Sequence, residues 1–154
     1  MKAKITLNKT DIYILVSGIV ITFISWCYVV FNYNDLPEQI PSHFNGKGIV
    51  DNYSSKLSLW VVLIIFTALQ YFVFLLAKST SLHNFQLKNK ASNFRVVSIL
   101  IPFLAIILSI IIYTIIQSAK NNLTNNNLIL PFILILTVIL LIVMFSLIYK
   151  NSKS

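Results

Sequence analysis

The chain has 154 residues, of which 57% are hydrophobic and only 10% charged, far from the roughly 25% charged residues of soluble domains. That composition excludes an ordinary water-soluble fold. The formal net charge of +8 does not indicate nucleic acid either, because the basic residues sit at the ends of apolar runs, where they meet anionic lipid headgroups. The lipid bilayer is the expected partner.

Four runs lack Asp, Glu, Lys, Arg and His throughout: 12–31, 57–77, 96–119 and 128–149. A helix of about 20 residues crosses a hydrocarbon core of ~30 Å, so the spacing predicts an all-α, integral membrane four-helix bundle forming a single domain over 1–154. The first run follows Lys2, Lys4 and Lys9 as the apolar part of a signal peptide would. It is too long for one, no small-x-small cleavage site follows it, and it is expected to remain as an anchor. Gly18 and Thr22 in this run make a small-xxx-small pair suited to close helix contact. Cys27 is the only cysteine and forms no intramolecular disulfide.

The segment 32–56, containing LPEQIPSHFNGKGIVDNYSSK, joins the first two runs and holds most of the polar chemistry. Pro37 and Pro41 disfavour continuation of the first helix, and Gly46 and Gly48 allow positive φ in a turn after Asn45. Leu36, Ile40, Phe44, Ile49, Val50, Tyr53 and Leu57 are available to pack on the helix mouth. A structured outer loop is expected, with His43 and Asn45 bonding loop backbone and Asp51 capping a turn or pairing with Lys56. A protonated imidazole at His43 would pair with Asp51 instead.

Gln70 is the strongest polar group of the second run and is expected to bond a neighbouring helix. Residues 78–95 are polar and basic, with Leu82, Phe85 and Leu87 interspersed. They read as a solvated connector, or as an amphipathic stretch at the headgroups. Pro102 and Pro131 fall near the starts of the third and fourth runs and predict local bends. An Asn-rich turn, KNNLTNNN, separates those runs. Lys and Arg divide nine against three between the two sides, which places both termini in the cytoplasm and the outer loop outside. The Ile-, Asn- and Lys-rich composition suggests an AT-rich bacterial genome, and hence the bacterial cell membrane.

The absence of ionisable residues from the spans argues against a proton- or ion-driven pump. One histidine with no cysteine beside it is a weak zinc signature, and Ser42 and His43, adjacent on an extended segment, are badly placed for a triad. No catalytic residue, metal or cofactor is expected, and the protein reads as a non-enzyme.

The ordered pattern Leu36, Pro37, Ile40, Pro41, His43, Phe44, Asn45, Gly48, Asp51, Tyr53, Ser55 and Lys56 resembles the loop of a bacterial and archaeal membrane domain of unknown function. That domain also forms the N-terminal part of SdpI-type immunity proteins. Tyr53 stands where the family often has Trp and Val50 where Pro is frequent, and the second domain of SdpI-type proteins has no counterpart in the four runs. The resemblance implies toxin immunity or envelope sensing through the outer loop. The binding residues would be His43, Phe44, Asn45, Gly48, Asp51, Tyr53 and Lys56, with an extracellular peptide or toxin as partner. The alternative is an accessory or scaffold subunit that holds another membrane protein, a transporter or a sensor.

Overall fold

The computed structural model describes residues 7–79, 90–120 and 129–152. The expectations for Lys2 and Lys4, for the 80–89 part of the second connector with His83, and for the Asn-rich turn at 121–128 fall outside them. The elements run α1 (Lys9–Asn32), a 3-10 turn (Tyr33–Asp35), β1 (Gln39–Phe44), β2 (Val50–Ser55), α2 (Ser58–Lys78), α3 (Lys90–Ser98), α4 (Leu100–Ala119) and α5 (Ile129–Ser152).

Four helical stretches are long and apolar enough to cross a membrane, over Lys9–Asp35, Ser58–Lys78, Asn93–Ala119 and Pro131–Tyr149. The chain is a multi-pass membrane protein. The third stretch starts earlier than the uncharged run at 96–119, because α3 carries Arg95 inside the helix. It breaks at Ile99, three residues before Pro102. Pro102 has no N–H to donate to the Ser98 carbonyl, and its ring crowds that oxygen. Pro131 has no such effect, since it lies in the first turn of α5, where the N–H lacks an intrahelical acceptor in any case.

α1 is inside-out relative to the helices of soluble proteins, whereas α4 buries mainly Ile and Leu. The buried residues of α1 are Asp11, Gly18, Thr22, Ser25 and Val29, a spacing that places them on one face, while Ile12, Val16, Ile19, Val20, Phe23 and Ile24 are exposed. Apolar side chains gain little by leaving lipid tails, so on α1 small and polar residues take the interface, where they allow close approach and hydrogen bonds.

α4 occupies the centre, packed along α1 and against α2. Gly18 meets the α3–α4 break directly: a Cβ there would lie 2.7 Å from Ile101 Cγ2 and 3.1 Å from the Pro102 nitrogen. Further along, Thr22 Oγ1 donates to Gln70 Oε1 at 2.8 Å, and the Ser25 and Ser109 hydroxyls are 2.8 Å apart. Trp26 Nε1 donates to Thr67 Oγ1 at 3.1 Å and Gln117 Nε2 to the Tyr28 hydroxyl at 2.8 Å. Gln70 thus bonds a neighbouring helix, as expected. α5 differs from the rest, with no buried residue between Pro131 and Tyr149.

On the side away from the hairpin, the N-terminus of α1 is locked by a charge. Asn8 and Asp11 form a reciprocal capping box, in which Asp11 Oδ2 accepts from the Asn8 amide at 2.9 Å. The other carboxylate oxygen, Oδ1, accepts from Arg95 Nε at 2.7 Å. Asp11 is fully buried, while the Arg95 side chain is a quarter exposed. This bond joins α1 to α3 across 84 residues of sequence.

Candidate functional site: the hairpin between α1 and α2

The segment between the first two spans is an antiparallel β-hairpin rather than an irregular loop. Its turn has a clear local cause. The Gly48 amide donates to the Asn45 carbonyl at 2.8 Å, and the Asn45 amide donates to the Ile49 carbonyl at 2.9 Å. That geometry is a three-residue hairpin loop closed by a residue in the left-handed region, and Gly48 has φ 73°. Asn45 Oδ1 reinforces the turn by accepting from the amides of Lys47 at 2.9 Å and Ile49 at 3.1 Å. Gly46, expected to share the positive φ, does not; a Cβ there would meet nothing within 4 Å.

A lone two-stranded hairpin is at best marginally stable in water, so its attachment to the bundle matters. Ile40 and Leu36 are buried in the same cluster as Ile112, Ile115 and Ile116 of α4, with Phe44 packed against it. Removing Ile40 and Leu36 from water contributes about 3–6 kcal/mol. The pairing is irregular between Pro41 and His43 and again between His43 and Phe44. Such bulges re-aim side chains, and here they leave Ser42 and His43 both exposed.

Lys56 fixes the foot of the hairpin. Its ammonium lies 3.0 Å from Glu38 Oε1, donates to the Leu36 carbonyl at 3.4 Å, and stands 5.2 Å from the centre of the Tyr33 ring. Tyr33 in turn packs on Trp60, which packs on Trp26. At the other foot, Lys120 donates to Asn32 Oδ1 at 2.8 Å and lies 3.5 Å from Asp35 Oδ2. The expected Asp51–Lys56 pair is therefore not formed, because the β-register carries Lys56 to Glu38. Asp51 instead contacts His43, Oδ1 against Nδ1, on the exposed side of the hairpin.

The seven residues singled out from the sequence divide into two groups. Phe44, Asn45, Gly48 and Lys56 hold the shape. His43, Asp51 and Tyr53 point away from the bundle, with Tyr53 56% exposed. Ile49 and Leu57, expected to pack inward, are likewise exposed. Among the described residues no group of three or more His, Cys, Asp or Glu side chains gathers. Two anchoring residues are not marked as such by the sequence: Lys120 shows there only as a charge at a span end, and Glu38 only as an isolated carboxylate just before β1.

The family model for DUF1648, a domain of unknown function, matches residues 20–67. That segment comprises the second half of α1, the whole hairpin and the first half of α2. No curated protein matches the chain, and no solved structure does. The match indicates an uncharacterised membrane-type domain centred on the hairpin.

Proposed function

We propose that this is a non-enzymatic protein of the bacterial cytoplasmic membrane whose hairpin faces outward and recognises an extracellular peptide or toxin, in the service of immunity or envelope sensing. The observation that carries this reading is the division of labour in the hairpin. Seating on α4, a closed turn and two tethered feet pre-organise it, and the exposed His43–Asp51 pair and Tyr53 face away from the bundle. A recognition surface that is already ordered binds without the entropic cost of ordering itself. The nine-to-three distribution of Lys and Arg supports the outward orientation.

Orientation is tested by labelling Ser42→Cys and Ser79→Cys in a Cys27→Ser background. An impermeant thiol reagent reaches Ser42→Cys in intact cells and Ser79→Cys only after permeabilisation; the reverse pattern overturns the topology. Function is tested by deleting the gene, challenging cells with competitor bacteriocins, and complementing with wild type, His43→Ala or Asp51→Ala. Unchanged sensitivity across the panel sinks the immunity reading.

One observation favours a second reading, an accessory or scaffold subunit. α5 is apolar on every side and unburied within the chain, as a helix that docks on another membrane protein would be. Chemical crosslinking in native membranes decides it: a discrete heteromeric product lost when exposed α5 residues such as Phe132, Ile135 and Ile139 are changed to Ala supports the subunit, and an unchanged monomer band removes it.

A further inference from the structure

The hairpin has one strand covered by the bundle and one left open. β1 packs on α4, whereas Asp51, Asn52, Tyr53 and Ser55 of β2 are exposed. Among the described residues, the one side-chain bond from β2 to a helix is at its foot, Ser54 Oγ to Ser58 Oγ at 3.0 Å. Natural sheets spoil an open edge with proline, lysine or a bulge. Over 53–55, β2 has none of these.

Which backbone groups face outward follows from the ladder. The Lys56 amide donates to the Glu38 carbonyl at 3.0 Å, so by antiparallel alternation Ser54 turns toward β1 and Tyr53 and Ser55 turn away. Tyr53 stands opposite Pro41 in a regular stretch of the register, and proline has no N–H to give the Tyr53 carbonyl. The Tyr53 amide itself donates to Asn52 Oδ1 at 2.9 Å, a local side-chain acceptor in place of a strand carbonyl. The outward groups of Tyr53 and Ser55 therefore recur at about 6.8 Å, the two-residue repeat of a strand. Another extended backbone presents donors and acceptors at that repeat; lipid tails present none, and a helix has already bonded its own. The edge is also continuous with the exposed His43–Asp51 pair and the ring of Tyr53.

We propose that an extended segment of the extracellular peptide adds to β2 as a third strand, bonding the outward N–H and C=O groups of Tyr53 and Ser55 and displacing the Asn52 side chain from the Tyr53 amide. This names how the hairpin takes its partner and rests on the function proposed for it. Main-chain bonds supply the affinity in such an addition, and side chains beside the edge supply the selection, here the Tyr53 ring and the His43–Asp51 pair.

The full chain in phosphatidylcholine nanodiscs is titrated with a capped Lys-Thr-Val-Thr-Val-Thr-Lys peptide while NMR follows hydrogen exchange at the Tyr53 and Ser55 amides. Both amides are expected to slow saturably, and a copy of the peptide N-methylated at every residue should leave them unchanged. Ser55→Pro removes an outward N–H that the ladder does not use and should weaken binding about fivefold, the worth of one hydrogen bond; Ser55→Ala should not. Asn52→Ala removes the competing acceptor and should tighten binding. No slowing, equal binding of the N-methylated copy, full affinity in a folded Ser55→Pro protein, or weaker binding by a folded Asn52→Ala protein overturns the proposal. So does a disulfide that forms quantitatively between copies of an Asn52→Cys, Cys27→Ser protein, since the edge would then serve a second copy. The immunity reading fails separately. Bacteriocin protection that survives Ser55→Pro but not His43→Ala keeps that reading and refutes the added strand, whereas protection from no bacteriocin refutes that reading and leaves the peptide titration to decide the edge.

Discussion

Replacing Gly18 by alanine tests the packing on which the bundle rests. The added methyl would lie 2.7 Å from Ile101 Cγ2, 3.1 Å from the Pro102 nitrogen and 3.3 Å from the Ile101 carbonyl carbon. Carbon atoms pack best at about 3.5–4.0 Å, so α1 must retreat from the α3–α4 break by up to about 1 Å. Ile101 is β-branched and buried, with no free rotamer to escape into. Overpacking of this kind costs about 1–3 kcal/mol. In water alanine would recover up to about 1 kcal/mol of helix propensity over glycine, but in a bilayer the separated helix keeps its backbone bonds, so that gain largely cancels. Gly18→Ala is therefore expected to destabilise by about 1–3 kcal/mol. Ile101→Ala alone should destabilise by about 2–5 kcal/mol through its cavity. The double variant should be more stable than the sum of the two by at least about 0.5 kcal/mol, the scale of coupling between touching residues. Reversible unfolding in mixed micelles, with denaturing detergent as the variable, measures all three. A neutral Gly18→Ala, or strict additivity, would refute the close approach of α1 to Ile101 and Pro102.

Arg95→Gln leaves the buried Asp11 carboxylate without its ion partner and is expected to cost about 3–5 kcal/mol in the same micelle assay. Adding Asp11→Asn should return part of that loss by removing the stranded charge, and a double variant no better than Arg95→Gln would contradict the pairing. Gly48→Ala forces a side chain into the left-handed region at about 1–2 kcal/mol, whereas Gly46→Ala should be neutral; hydrogen exchange at the Ile49 amide distinguishes them, accelerating in the first alone. Lys56→Met removes the tie to Glu38, Leu36 and Tyr33, so trypsin should cut after the exposed Lys47 several-fold faster than in wild type, and an unchanged cleavage rate would show that the foot does not depend on Lys56.

What the sequence made legible was whatever the membrane enforces locally. The four spans follow from the length of uncharged runs, and the bend at Pro102 from a missing donor. Gly18, Thr22 and Gln70 announced helix contacts because small or polar residues have little other use at that depth. The hairpin was only half visible. Asn45-Gly46-Lys47-Gly48 is a turn signal of the right length, but the bulges on either side of His43 break the alternation that identifies a strand and leave Ser42 and His43 both exposed. The polar pairings were the least legible, because they depend on register and tertiary proximity. For Asp51 two partners were in view, Lys56 and His43, and only the hairpin register decides for His43. Asp11 and Arg95 meet only because the first turn of α1 packs beside α3.

The tethers at the hairpin's feet also set how a partner would arrive. On that side the described residues 32–57 and Lys120 contain Asp35, Glu38 and Asp51 against Lys47, Lys56 and Lys120, so their formal charges cancel with His43 counted as neutral. Two of those lysines are already bound to Glu38 and Asp35, and the remaining acid faces His43. Such a face exerts little long-range pull on charged peptides of either sign. Encounter would proceed at the unsteered rates of about 10⁵–10⁶ M⁻¹s⁻¹, nearly indifferent to ionic strength, and discrimination among partners would rest on how long each stays rather than on how fast it comes.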